Sequence, residues 1–154
     1  MTRATRRRSA GAGGFMLIEL VVGAMVVAVL VAVAIPAFRG FHQSAQDRAA
    51  QTEIGDVLLS ERAFRVEEGR YTDEAAELAP FQPNAVIDES NPEAGVTITL
   101  GAKAAVVCIE RVSDSGSAFG VWDGAGEAAF YGRGGGLTDA CPDQPPAGYS
   151  PEGW

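Results

Sequence analysis

Histidine and cysteine, which supply many catalytic and metal-binding groups, are scarce in this sequence. One histidine, His42, and two cysteines occur among 154 residues. No serine or cysteine accompanies His42 in a recognisable nucleophile setting. The glycine cluster at residues 132–136 is not followed by a lysine-serine or lysine-threonine pair, which argues against a phosphate-binding loop. We therefore expect no enzymatic activity and no cofactor.

Positive charge is also scarce beyond the amino terminus. The chain has 12 basic and 20 acidic residues, for a net charge of −8. Residues 1–14 hold four of the twelve basic residues and none of the acidic ones, so a chain without them would carry −12. Proteins bind the phosphate backbone mainly through basic side chains, and we therefore expect no direct nucleic-acid partner.

One long apolar run dominates the amino-terminal part of the chain. Residues 15–35 are 21 positions with a single charged residue, Glu19. A helix of this length can cross the hydrocarbon core of a bilayer. Four arginines precede the run and only Arg39 follows it closely, so the charge bias places the amino end in the cytoplasm and the remainder outside. A carboxylate in hydrocarbon costs about 2.5 to 3.5 kcal/mol, and Glu19 therefore needs a partner.

Gly14, Phe15, Glu19 and Pro36 together resemble the leader junction and helix start of type IV prepilins. In that family a membrane peptidase cuts after the glycine and methylates the new amine, and the glutamate helps to register each subunit in a filament. The resemblance extends over residues 14–72. It implies a leader at 1–14, cleavage after Gly14, an N-methylated Phe15, and roles in assembly for Glu19 and Pro36.

Cleavage after Gly14 would also explain why an acid, Glu19, lies in the apolar run. The new amine on Phe15 would lie about one helical turn from Glu19, in the same chain or in a packed neighbour. Pairing the two charges would offset the cost of burying each of them. We therefore expect Glu19 to neutralise the amine of an adjacent subunit.

The resemblance also implies partners and a location. The partners are a prepilin peptidase, further copies of this chain and minor pilins in a helical filament, and the assembly platform of the inner membrane. Before assembly the chain would be a single-pass cytoplasmic-membrane protein with its carboxyl-terminal part outside. After assembly it would belong to an extracellular pilus, or fimbrium.

The helical pattern continues beyond Pro36, where a proline predicts a kink. Residues 15–36 would form the half in the membrane or filament core, and residues 37–68 an amphipathic half that ends before Gly69. An apolar stripe marks the second half: Ala50, Ile54, Val57 and Phe64. A helix over 15–68 would be roughly 80 Å long, so lipid or neighbouring subunits must cover its first half.

The remaining residues, 69–154, predict a globular head. Five short runs favour strands: 85–87, 96–100, 104–112, 118–122 and 128–131. We expect three or four of them to form a small antiparallel sheet packed on the apolar stripe, which gives an α+β, pilin-like fold. The glycine cluster and the proline-rich tail at 142–151 are interpreted as irregular surface chain.

Cys108 and Cys141 both lie in the part of the chain that the charge bias places outside the membrane. We therefore expect them to form a disulfide that ties the carboxyl-terminal loop to the sheet.

Asp123 and Glu127 lie on either side of a glycine-rich segment, and their carboxylates are the hard oxygen ligands that calcium prefers. Their spacing matches no known ligand pattern. We therefore expect no metal, with calcium at these two residues as the alternative.

Three further interpretations remain open. A type II secretion pseudopilin shares the same amino-terminal half, and a competence pilin differs in capturing DNA. A conventionally secreted or anchored binding domain is the third, because Ala32-Val33-Ala34 resembles a signal cleavage site. The mature amino terminus separates them: Phe15 indicates the pilin class, Ile35 an ordinary signal and Met1 a bare anchor.

Overall fold

The computed structural model describes residues 16–88, 90–124, 126 and 128–154. The elements, in chain order, are α1 (Leu17–Glu68), α2 (Ala75–Leu78), β1 (Thr97–Leu100), a 3-10 turn (Ala102–Ala104), β2 (Val106–Val112), β3 (Ala118–Gly124) and β4 (Phe130–Arg133). A long helix followed by a small antiparallel sheet is the predicted α+β architecture. The predicted leader, with Gly14, and the predicted new terminus, Phe15, lie outside the described residues.

The chain forms two compact units, residues 1–40 and residues 41–154. The first contains the apolar part of α1, in which Pro36 lies inside the helix. The kink that this proline predicts stays a prediction. The second contains the rest of α1, which ends at Glu68 as expected, and Gly69 follows it with a left-handed φ of 76°.

The sheet is a four-stranded antiparallel meander in the order β1-β2-β3-β4. Side chains alternate between its two faces along each strand. On β2, Val107 and Ile109 point towards the core shared with α1, whereas Cys108 points to the opposite face. On β3, Val121 points towards the core shared with α1, and Trp122 points to the opposite face. The sheet therefore has an apolar layer on each side.

The helix-facing core contains the predicted stripe. Ala50, Ile54, Val57 and Phe64 are all buried, and Leu58 is buried beside them. They pack against apolar residues of β1, β2 and β3, including Ile98, Ile109 and Phe119.

The carboxyl-terminal chain is more ordered in its packing than the sequence indicated. Gly132 belongs to β4, and Leu137 is buried against Trp122 on the outer face of the sheet. Tyr131 and Ser150 exchange two backbone hydrogen bonds of 2.8 and 2.9 Å, which add the tail to the edge of the sheet. Residues 134–136 and most of the tail at 142–151 have no helix or strand and are exposed or half-buried, as predicted. Gly132 differs because it is buried in β4, and Ser150 differs because it forms a bridge to that strand.

Two strand predictions also need correction. Residues 85–87 form no strand and contribute one isolated bridge, between Ile87 and Val96. Ala104 belongs to the 3-10 turn, with φ 53°, and β2 begins only at Val106. Both predictions rested on apolar composition, which does not distinguish a strand from a short packed turn.

Candidate functional site

The side chains of the apolar part of α1 are exposed in the described part of the chain. Every large apolar side chain from Met16 to Ile35 is between 46 and 85% exposed. Over the described residues, one helix is long and apolar enough to cross a membrane, and it is α1. Exposed apolar surface of this extent marks an interaction with lipid or with other protein chains. This segment is therefore the candidate assembly site.

Glu19 lies within that segment, in the first turn of α1. A carboxylate at this end of a helix is favoured by the exposed N–H groups of the first turn. In the part of the chain that the structure describes, Glu19 belongs to no ion pair. Because Phe15 is not described, the predicted contact between the Phe15 amine and this carboxylate stays a prediction.

The head is held to the second half of α1 by a buried carboxylate. Asp123, at the end of β3, accepts hydrogen bonds from Arg62 Nε at 2.7 Å and Arg62 Nη2 at 3.0 Å. The hydroxyl of Tyr71 donates a third, at 3.0 Å, and Arg65 donates to that hydroxyl. The Asp123 side chain is only 2% exposed, so these donors replace the water that the charge has lost.

The hydrogen bonds to Asp123 affect the prediction of calcium at Asp123 and Glu127. Both carboxylate oxygens of Asp123 are already occupied by donors from its own chain. Glu127, the second candidate ligand, lies outside the described residues. Among residues that are described, no group of three or more histidine, cysteine, aspartate or glutamate side chains is placed to hold a metal. Calcium binding stays a prediction.

A second buried acid, Glu61, lies on the face of α1 that points into the head. It is fully buried, and its Oε2 accepts a hydrogen bond from the backbone N–H of Thr72 at 3.2 Å. Its Oε1 has no hydrogen-bond partner among the described atoms. Burial raises the pKa of Glu61 to about 7, and the N–H of Thr72 opposes this shift.

A third acid, Glu110, anchors the carboxyl-terminal chain to the outer face of the sheet. Its Oε2 accepts hydrogen bonds from the backbone N–H groups of Gly136, Leu137 and Thr138 at 3.1, 2.8 and 3.3 Å. The glycine cluster therefore serves the head by allowing this turn, in which Gly136 has φ 108°.

The predicted disulfide is present. Cys108 on β2 and Cys141 in the tail are bonded, with their Cα atoms 5.5 Å apart. Close by, the indole N–H of Trp122 donates to the carbonyl of Pro142 at 2.8 Å. The bond and the indole contact together fix the tail over the outer face of the sheet.

Sequence reasoning missed Arg62, Glu61 and Glu110. For Glu61 a signal existed, because it falls four residues after Val57 and three before Phe64, in the middle of the apolar stripe. Glu110 likewise occupies a position that alternation along β2 assigns to the outer face with Cys108. No sequence spacing links Arg62 to Asp123, since that pair depends on how the strands are arranged.

A known protein is similar to this chain over part of its length. No family model matches the chain. The type IV major pilin protein PilA of Myxococcus xanthus (strain DK1622) is 34% identical over 70 residues, which is 46% of this chain. The match covers 31% of the relative, so the two chains are alike over about a third of its length. The resemblance to type IV pilins that the sequence indicated is confirmed by this similarity and by the long apolar helix.

Proposed function

We propose that this chain is a structural subunit of a type IV pilus-like filament. It is made as a precursor, cleaved after Gly14 by a prepilin peptidase and methylated on the amine of Phe15. The cleaved subunit waits in the cytoplasmic membrane with its head outside. An inner-membrane platform then adds it, with minor pilins, to a filament of further copies. It acts by packing against those copies and catalyses no reaction.

The observation that supports this proposal is the exposed apolar half of α1 with one acid at its start. Among the described residues, the buried core of the head begins at Ala50. The apolar half must therefore be covered by something other than this head, first by lipid and then by the same segment of neighbouring copies. A bilayer alone does not explain Glu19, because an unpaired carboxylate is costly there.

A filament explains the acid through the new amine. In the packed core the amine of Phe15 on one subunit meets the carboxylate of Glu19 on another. Each charge then has a partner, which compensates for the water that it loses. An uncleaved chain has no amine at this position, so cleavage is the step that makes packing favourable.

The amino terminus of the mature protein tests processing. The full chain is produced in cells that contain a prepilin peptidase, and the membrane and sheared-surface fractions are analysed by mass spectrometry. We expect a methylated Phe15 terminus in both fractions. A terminus at Ile35 or an intact Met1 would contradict the proposal. Gly14→Phe, which blocks access to the scissile bond, is expected to leave the leader attached.

Substitution of the acid tests assembly separately from processing. We expect Glu19→Ala to be cleaved normally and to remain in the membrane, but to give at least fivefold less sheared filament than the wild type. Glu67→Ala removes an exposed acid of the same helix that forms no ion pair among the described residues, and it serves as the control. Normal filament yield from Glu19→Ala would exclude the proposed role of the carboxylate.

The secretion pseudopilin remains a second outcome of the same experiment. Its apolar helix would make the same packing, but the assembly would be short and periplasmic. A processed Phe15 terminus without any filament in the sheared fraction would favour the pseudopilin over the pilus subunit.

A further inference from the structure

The chain after α1 covers the buried acid Glu61. Tyr71 and Leu78 bury their side chains in the core of the head. We call the residues between these two anchors, 72–77, the cover segment. Among them only Thr72 is buried, and the others are exposed or half-buried. The segment that covers this acid is therefore itself largely exposed.

The cover segment satisfies only half of the Glu61 carboxyl group. The backbone N–H of Thr72 donates to Oε2 at 3.2 Å, and Oε1 has no hydrogen-bond partner among the described atoms. A neutral carboxyl group tolerates this environment better than a carboxylate, because an unpaired buried charge costs far more than an unpaired polar group. The closed cover segment therefore favours the protonated acid, and burial raises the pKa of Glu61 to about 7.

The charged groups of the chain after α1 do not compensate an ionised Glu61. Asp73 and Glu77 oppose its ionisation, and Arg70 favours it. Arg70 is already bound to both carboxylate oxygens of Glu77, at 2.8 and 3.0 Å. The local balance of charge therefore disfavours a second anion beside this pair.

The arginines on the same part of α1 bind other groups. Arg62 donates to both oxygens of Asp123 on β3. Arg65 donates to the hydroxyl of Tyr71, and that hydroxyl donates to Asp123. These two arginines therefore serve the acid of the sheet and the first anchor rather than Glu61.

Few contacts hold the cover segment closed. Its ion pair, between Glu77 and Arg70, has side chains that are 37 and 45% exposed, and a pair this exposed adds little to stability. The hydroxyl of Thr72 also donates to Glu77, within the same stretch of chain. The helix α2 has four residues, Ala75–Leu78, which is too short for a helix that is stable by itself. Opening this segment therefore breaks few contacts with the rest of the head.

We propose that Glu61 acts as a pH switch: the protonated acid keeps the cover segment closed, and the ionised acid opens it while Tyr71 and Leu78 remain in the core. Opening admits water to the carboxylate, which removes the cost of an unpaired buried charge. The head is therefore closed at this edge in acid and opens there as the pH rises. The switch is built into the head and operates whether or not the chain assembles, so it goes beyond the proposed function.

The size of the effect follows from the two states of the acid. In the closed state the pKa of Glu61 is about 7, and in the open state the carboxyl group is in water with the ordinary glutamate pKa of 4.5. Proton linkage then raises the ratio of open to closed molecules about 70-fold between pH 5 and pH 8.

Hydrogen exchange at the Thr72 amide measures the opening, because this N–H donates to Glu61. The protection factor is the exchange rate of an unfolded peptide divided by the observed rate, so it corrects for the direct effect of pH on exchange. In the full chain in detergent, we expect the protection factor of Thr72 to fall about 70-fold between pH 5 and pH 8.

The dependence on urea distinguishes local opening from unfolding of the whole head. Opening of the cover segment exposes little surface, so exchange at Thr72 should change little in low urea. Ile109 is buried in the inner strand β2, and its amide should be better protected than Thr72 and should exchange faster as urea is added. Both measurements use the wild type, so the test stands even if a variant at Glu61 fails to fold.

Glu61→Gln tests whether this acid is the titrating group. An amide does not ionise, and the protection factor of Thr72 in this variant is expected to stay within about twofold between pH 5 and pH 8. Glu67→Gln removes an exposed acid of the same helix and is expected to keep the fall of the wild type.

Three results would overturn the switch and leave the pilus subunit untouched. The first is a wild-type protection factor of Thr72 that changes less than about threefold between pH 5 and pH 8. The second is equal protection of Thr72 and Ile109 with the same response to urea, which would mean that the whole head unfolds. The third is an undiminished fall in Glu61→Gln, which would assign the titration to another group.

Discussion

Arg62 on α1 and Asp123 on β3 form a two-pronged ion pair that joins the helix to the sheet across 61 residues of sequence. The two ends are unequal, since the Arg62 side chain is 42% exposed and the Asp123 side chain only 2%. The acid therefore depends on the arginine more than the arginine depends on the acid. Tyr71, which also donates to Asp123, places the chain after α1 at the same junction.

Removing the arginine is expected to destabilise the head. Arg62→Met keeps the aliphatic stem but leaves a buried carboxylate with Tyr71 as its remaining side-chain donor. Breaking a fully buried pair costs about 3 to 5 kcal/mol, and because Arg62 is partly exposed we expect a loss of about 2 kcal/mol. Urea unfolding of the full chain in detergent, followed by tryptophan fluorescence, measures the change.

The control for this loss is Arg48→Met, which removes an exposed arginine of the same helix that forms no ion pair with any described residue. It is expected to change the free energy of unfolding by less than about 0.5 kcal/mol. Equal effects of the two substitutions would show that the pair with Asp123 adds nothing to stability.

Glu61 is expected to make the stability of the head depend on pH. Its folded-state pKa of about 7 lies above the ordinary glutamate pKa of 4.5. The folded state therefore holds its proton more tightly, so stability is full below about pH 4.5 and falls as pH rises to about 7. Over that interval the loss is about 3 kcal/mol for this shift.

Glu61→Gln is expected to remove this dependence, because an amide does not titrate. The variant should gain stability relative to the wild type at pH 8 and gain none at pH 5, where the wild-type acid is protonated. The measurement is the free energy of unfolding between pH 5 and 8, with the exposed substitution Glu67→Gln as the control. Parallel curves for Glu61→Gln and the wild type would refute the assignment.

The sequence predicted the features of the head that depend on residues close together in the chain. The stripe from Ala50 to Phe64 and the end of α1 at Glu68 are local patterns, and both were found. Short β-favouring runs correctly predicted the small antiparallel sheet, although residues 85–87 form no strand. The Asp123 pair was missed because it joins residues 61 positions apart and depends on strand order, which no local pattern encodes.

In the candidate assembly site and the rest of α1, local features were likewise predicted and contacts that depend on the fold were not. The apolar run and Glu19 are visible in the sequence because length and a single charge define them. The pairing of the charged residues on the rest of α1 is not visible in the sequence. Exposure decides whether such residues are free or already paired, and only the folded head shows that Arg111 takes Glu53 while Asp56 has no ion-pair partner among the described residues.

Loss of the disulfide is expected to destabilise the head without unfolding the sheet. The bond closes a loop with a sequence separation of 33, for which the chain-entropy model gives about 3 to 4 kcal/mol. We expect Cys108→Ala combined with Cys141→Ala to lose about that amount in urea unfolding. A reductant should lower the stability of the wild type similarly and leave the double variant unchanged. A reductant effect on the double variant would indicate another cause.

Tyr149 occupies a space that two glycines provide. Gly120 on β3 and Gly132 on β4 are register partners, and a Cβ at either position would overlap the Tyr149 side chain. Gly132→Ala is therefore expected to displace the ring and to cost about 1 to 3 kcal/mol. Gly55→Ala, with open space around it in a helix, is expected to be neutral or to stabilise by up to about 1 kcal/mol.

A double-mutant cycle decides whether the ring is the cause. If Gly132→Ala acts by displacing Tyr149, the substitution should cost little in a Tyr149→Ala background, because the overlapping side chain is already absent. Urea unfolding of the four chains gives the coupling energy. An undiminished cost in the Tyr149→Ala background would place the effect in the backbone of β4 rather than in the contact with the tail.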